Sequence, residues 1–187
     1  MSDTETTIQS FIRAAKSKDW KIKTDSTRPA KLPNVITERY PNIPDDYLCF
    51  LSQLSTCCNP SEQAWFLCVD DYSAKDEDQW RWDEIERLEL DAADDDDHRE
   101  GIRELWNGQI PIAINVGYSC LSLSVRPSDF GSVFYSFKHC WDEPELVVDS
   151  FEDYLKQMTE FLNGSRSVSY KNEDGDDCVI LEFADFL

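Results

Sequence analysis

Histidine is almost missing from this chain: of 187 residues, only His98 and His139 carry an imidazole. Histidine is the commonest metal ligand and the usual proton carrier near neutral pH, so its scarcity narrows both metal and acid–base chemistry. His139 adjoins Cys140, and on a strand such neighbours point to opposite faces, so the pair reads as a turn histidine beside a core thiol rather than a catalytic dyad. GxGxxG, a P-loop lysine, a GxSxG elbow, HExxH and CxxC are all absent, which leaves no catalytic signature and no cofactor motif. No apolar run approaches the roughly 20 residues a membrane helix needs. Met1-Ser-Asp-Thr-Glu5 lacks the basic start and apolar middle of a secretory leader, so the chain is expected in the cytoplasm.

Positive charge is also scarce. There are 18 Lys and Arg against 38 Asp and Glu, a formal charge of −20. Such a charge repels phosphate backbones and anionic lipid heads, which excludes nucleic acid and membrane surfaces as partners and favours a basic protein. The charge is uneven: residues 1 to 31 hold four acids and seven bases, whereas residues 69 to 104 hold 16 acids and five bases. Apolar mass is sufficient, with 15 Leu, 11 Ile, 9 Val and 10 Phe for one core. The seven cysteines are odd in number and lie in apolar contexts such as Tyr47-Leu-Cys49-Phe-Leu51, the pattern of free buried thiols rather than a disulfide framework.

Asp96-Asp-His98-Arg-Glu-Gly101 has the start of a calcium loop with glycine sixth, but His98 stands third and Asn107 twelfth, where a bidentate glutamate is required. It reads as a solvated acidic helix start, and no metal is expected. With 38 carboxylates, some pair always lies close to another, so no spacing singles out a glycosidase.

Periodicity outlines the elements. Ile8, Phe11, Ile12 and Ala15 share one face of an amino-terminal helix, followed by a polar stretch from Lys21 to Arg28. A helical turn is expected over Pro33–Tyr40, a helix over Asp45–Leu54, a strand over Trp65–Val69, and helices over Trp82–Leu90 and Asp97–Trp106. From Gln109 the period becomes two, giving three strands, Gln109–Ile114, Cys120–Val125 and Ser132–Phe137, in an antiparallel meander. Ser150 opens a helix that Asn163-Gly164 ends, and Ser167–Tyr170 with Cys178–Phe183 form a closing hairpin.

The aromatic residues carry the partner-binding expectation. Trp80 and Trp82 lie within Asp76-Glu77-Asp78-Gln-Trp80-Arg-Trp82, and a helix cannot readily bury both at a spacing of two. One is expected to meet solvent or a partner, with Trp82 open between core and interface, while Trp106 and Trp141 are expected in the core. The candidate contact set is Trp80, Trp82, Asp76, Glu77 and Asp78, with the quartet Asp94, Asp95, Asp96 and Asp97: acid-ringed tryptophan suits a basic partner.

Four segments in order resemble a known family. Ile43-Pro44-Asp-Asp-Tyr47-Leu-Cys-Phe50-Leu51, then Ile110-Pro111-Ile-Ala113 with Gly117-Tyr118, then Gly131-Ser-Val133-Phe-Tyr135, then Val147-Val-Asp-Ser150-Phe151-Glu-Asp-Tyr154-Leu155 are similar to the SUKH superfamily, the Smi/Knr-like proteins, across roughly Lys31 to Thr159. Ser55-Thr-Cys-Cys-Asn59-Pro60 stands where the family has an Asn-Gly-Gly turn. The resemblance implies a single α+β domain, an antiparallel sheet flanked by helices, over residues 31–162; periodicity adds an amino-terminal helical arm at 1–30 and a carboxy-terminal hairpin at 163–187 packed on the domain. The resemblance further implies a bacterial, non-catalytic immunity protein that neutralises a polymorphic toxin, commonly a nuclease. The alternative is a regulatory scaffold whose acidic face serves solubility. The oligomeric state stays open.

Overall fold

A computed structural model describes residues 2–25, 31–73, 80–137, 143–171 and 177–187. Asp76, Glu77, Asp78, His139, Cys140 and Trp141 lie outside the described residues.

Helix α1 (Asp3–Lys16) starts at a capping box, in which the Ser2 hydroxyl accepts from the Glu5 N–H while the Glu5 carboxylate accepts from the Ser2 N–H at 2.8 Å. It leads into β1 (Lys21–Thr24), and α2 (Asn34–Arg39) and α3 (Asp45–Gln53) follow. Strands β2 (Leu54–Cys58) and β3 (Ala64–Phe66) precede a 3-10 turn at Asp71–Ser73, then α4 (Glu84–Ala92) and α5 (Asp96–Asn107). The chain continues through β4 (Gln109–Asn115), β5 (Cys120–Ser124), β6 (Val133–Ser136), β7 (Glu145–Val148) and α6 (Phe151–Asn163). It closes with β8 (Ser169–Lys171), β9 (Asp177–Val179) and α7 (Leu181–Ala184).

β1 to β7 form one antiparallel sheet in sequence order, and β8 pairs with β9 alone. The meander expected over three strands therefore runs through seven. Lys21 to Arg28, read as polar connection, contributes β1, and part of the Ser55–Pro60 segment is β2. The closing segment also differs: β9 stops at Val179, and Leu181–Ala184 turns helical, sending Phe183 and Phe186 into the core.

Paired residues on neighbouring strands share a face. Phe66, Ala113, Leu121 and Tyr135 are linked in register, and Phe66 packs on Phe11 of α1, Phe50 of α3, and Phe151 and Tyr154 of α6. Trp65, Ile114, Cys120 and Ser136 form the matching row on the opposite face, the side on which Cys120 feels the Glu89 carboxylate of α4. The sheet thus lies between α1, α3 and α6 on one side and the α4–α5 pair on the other. This is an α+β domain with an antiparallel sheet flanked by helices. Helix α6 begins at Ser150, whose hydroxyl accepts from the Asp153 N–H at 3.1 Å, and ends at Gly164, whose φ of 74° is left-handed.

Candidate functional site

The two tryptophans separate because the segment before α4 is not helical. Helix α4 begins at Glu84 rather than at Trp82, as expected from periodicity. In the non-helical Trp80–Asp83 stretch, Trp82 turns inward, 9% exposed, against Tyr40 and Tyr72 at centroid distances of 6.3 and 6.2 Å. Trp80 stays half-buried, edge-on to Trp65 at 5.8 Å and against Tyr118 at 5.1 Å. An aromatic trio of Trp65, Trp80 and Tyr118 therefore lies at the border of the sheet face and solvent. Tyr118 sits at a φ of 67° in the turn between β4 and β5, a conformation uncommon for a non-glycine residue. Trp106, expected in the core, is 1% exposed.

Behind this surface lies a polar frame. Trp106 donates its indole N–H to the buried carboxylate of Glu89, and the Tyr40 hydroxyl donates to the Trp106 carbonyl at 2.8 Å. The Tyr72 hydroxyl donates to the Pro111 carbonyl at 2.6 Å and lies 2.8 Å from the Tyr47 hydroxyl. Burial pushes the phenols of Tyr40, Tyr47 and Tyr72 well above their ordinary range, so they remain neutral donors that tie helices to the sheet.

The acidic quartet occupies the start of α5. Asp94, Asp95, Asp96 and Asp97 are all exposed, but they are not equivalent. Asp95 is the N-cap, its carboxylate accepting from the His98 N–H at 2.8 Å, and Asp96 and Asp97 fill the first turn. Negative charge there complements the positive helix end, so part of the quartet's chemistry is already spent within the helix. Asp94, Asp96, Asp97, Glu100 and Glu104 remain on the exposed surface.

Among the described residues, no three His, Cys, Asp or Glu side chains gather as a metal requires. Cys57 and Cys120 are shielded: burial pushes both well above the ordinary thiol range, where nucleophilic thiolate does not form. A polar cluster unites Ser119, Tyr135 and Asp185, with Tyr135 donating to the Asp185 carboxylate at 2.7 Å and Ser119 also bonded to it. Asn115 donates to the Asp185 carbonyl at 3.2 Å. These bonds fasten the carboxy-terminal segment to the sheet. None of the described helices is long and apolar enough to cross a membrane.

Fold and surface together define the class, a single α+β domain of the SUKH type. The family model of the SMI1 / KNR4 family (SUKH-1) matches residues 37–157, and the chain belongs to that family. No curated protein matches the chain. The expected match from Lys31 to Thr159 agrees closely in extent with the residues found. Sequence reasoning did not find the Glu89–Trp106 and Arg39–Glu86 contacts or the Tyr118 partner of Trp80, because each joins residues remote in sequence.

Proposed function

We propose that this chain is a non-catalytic bacterial immunity protein, acting in the cytoplasm, that binds a basic toxin domain, in particular a nuclease, and occludes it with its acidic α4–α5 surface. Membership of the SMI1 / KNR4 family (SUKH-1) supports an immunity-like role. The observation that carries the reading is the set of exposed carboxylates at the start of α5 and along it, Asp94 to Asp97 with Glu100 and Glu104, in a chain of charge −20. A nuclease surface built for a polyanion is cationic, so a fixed array of carboxylates accelerates encounter and competes with nucleic acid. Residues 1–30, 31–162 and 163–187 act in this reading as one binding body.

Trp80, half-buried ahead of α4, is the aromatic contact of the proposal. One observation favours the scaffold alternative: Trp80 already has Trp65 and Tyr118 as neighbours within the chain, so its exposed edge is not required to find a partner. A growth-rescue assay separates the two. The chain is co-produced with each of a panel of basic nuclease toxin domains, and rescue by the parent that is lost when Asp94, Asp96 and Asp97 become lysine supports immunity. Absence of rescue across the panel, or rescue indifferent to the reversal, favours the scaffold.

A further inference from the structure

The seven-stranded sheet has two edges, β1 and β7, and they are protected unequally. A free edge is a row of unpaired backbone donors and acceptors, and proteins blunt it with charge, lysine above all. β1 follows this rule, reading Lys21-Ile-Lys23-Thr with both lysines exposed. β7 does not. It reads Glu145-Leu-Val-Val148, and Leu146 is 57% exposed. Among the described residues, no backbone hydrogen bond joins residues 145–148 to any strand or loop other than β6. Beside this edge runs a groove of about 480 Å³, lined by Leu146, Val147, Val148 and Asp149 and, from α6, by Asp153, Lys156 and Gln157.

We propose that the β7 edge receives an extended segment of a partner protein as an added strand, with an apolar centre and Lys or Arg at its flanks. The backbone of β7 supplies the ladder, and Leu146 and the groove supply the side-chain contacts. Charge selects the occupant. Glu145 and Asp149 bracket the apolar stretch, while Asp153 and Lys156 on the α6 side are paired with each other at 3.0 Å, and Lys156 also meets Glu152 at 3.1 Å. A second copy is disfavoured by the same groups: antiparallel pairing of β7 with itself about Val147 sets Glu145 opposite Asp149 of the other copy at both ends, between two chains of charge −20. Like charges directly opposite destabilise a strand pair, and basic flanks reverse the sign. Phe134 pairs with Leu146 and Val133 with Val148, so Val147 is an extra residue that bends β7 and keeps the added ladder short.

This surface is separate from the α5 carboxylates, and the test is independent of the immunity reading. The full chain is titrated with a short synthetic peptide of alternating valine and threonine flanked by lysines, and with the same peptide N-methylated at alternate amides, which keeps the charge and removes the ladder. The unmodified peptide is expected to bind and to slow hydrogen exchange at residues 145–148. N-methylation, and separately Leu146→Lys in the chain, are expected to weaken binding about tenfold, with the melting temperature of the variant unchanged because Leu146 is exposed. Equal binding of both peptides, or protection confined to α4 and α5, overturns the proposal in favour of diffuse attraction. Self-association that Leu146→Lys abolishes overturns it in favour of a second copy.

Discussion

Arg39 at the end of α2 forks onto Glu86 of α4, its two terminal nitrogens 2.7 and 2.8 Å from the carboxylate oxygens. Nε donates to the Asn107 side chain at 3.0 Å, and the guanidinium lies over the rings of Tyr40 and Trp82 at 5.4 and 5.7 Å. Burial opposes the Arg39 charge, but the Glu86 hydrogen bond and nearby carboxylates outweigh it and raise the pKa. The side chains are only 21% and 11% exposed, so this pair escapes much of the solvent screening that weakens a surface salt bridge.

Removing one partner should therefore cost more than removing both. Arg39→Ala leaves Glu86 without its fork and is expected to lower unfolding stability by about 2 kcal/mol. Arg39→Met with Glu86→Leu should recover most of that loss, because desolvation of the pair offsets much of its attraction. Urea unfolding of the two singles and the double provides the cycle, and a double variant as unstable as the singles would refute this account.

The contact between α1 and α6 should loosen in acid. The Glu152 carboxylate accepts from Thr4 at 2.7 Å and from Thr7 at 3.3 Å, with Lys156 at 3.1 Å. These bonds, Thr4 first, hold its pKa below the ordinary value of 4.5. A lowered folded pKa gives stability present above the unfolded value and lost as pH falls through the folded one. Asp46, which accepts from the Glu152 N–H at 3.0 Å, has the opposite sign: burial raises its pKa, so its protonation favours the fold as pH drops. The two slopes partly cancel in the parent. Glu152→Gln isolates the first, and the parent's advantage in melting temperature over this variant should shrink as pH is lowered from about 6 to about 3, through the ordinary carboxylate range and below it. A gap that stays constant over that range would exclude Glu152 as the source.

Trp80 and Trp82, two residues apart, should respond differently to truncation. Trp82→Ala empties a buried site between Tyr40 and Tyr72 and is expected to cost about 3–5 kcal/mol. Trp80→Ala forfeits two ring contacts at a half-buried position, an expected loss of about 1–2 kcal/mol. Denaturant midpoints for both variants check the order, and equal costs would mean that Trp80 belongs to the core rather than to an accessible edge.

The legibility of the fold follows burial. The strands β4, β5 and β6 are buried over nearly all their residues and were readable from a period of two. α1 and α6 were readable because five and six of their residues, respectively, line one buried face. β1 was not, because an edge strand needs only one covered face, and Lys21-Ile-Lys23-Thr has a single apolar residue. β2 hid its pairing in Leu54-Ser-Thr-Cys-Cys58, whose small polar residues look like a turn. At the candidate site, the charge of residues 94–97 was visible in the sequence. Their division between capping and exposure was not, since it depends on where α5 begins. The same limit applied to the tryptophans: a helix assumed to start at Trp82 forced a conflict that a start at Glu84 removes.

That division within the quartet makes the last prediction. Asp95 holds the His98 N–H, so Asp95→Ala should lower stability by about 1 kcal/mol, whereas Asp95→Asn keeps a capping oxygen and should be nearly neutral. Asp94 makes no side-chain bond in the cap, and Asp94→Ala should fall within about 0.5 kcal/mol of the parent. Binding should rank them differently. With a basic nuclease domain that the chain neutralises, Asp94→Lys combined with Asp96→Lys and Asp97→Lys should slow association most, since the change removes and reverses exposed charge. Asp95→Asn should slow it slightly, through the loss of one charge with the helix intact. Both effects should disappear near 1 M salt, where screening acts within about 3 Å. Stopped-flow association rates at low and high salt distinguish the roles: a triple reversal that associates like the parent at low salt would leave the quartet as a helix start that solvent, rather than a partner, covers.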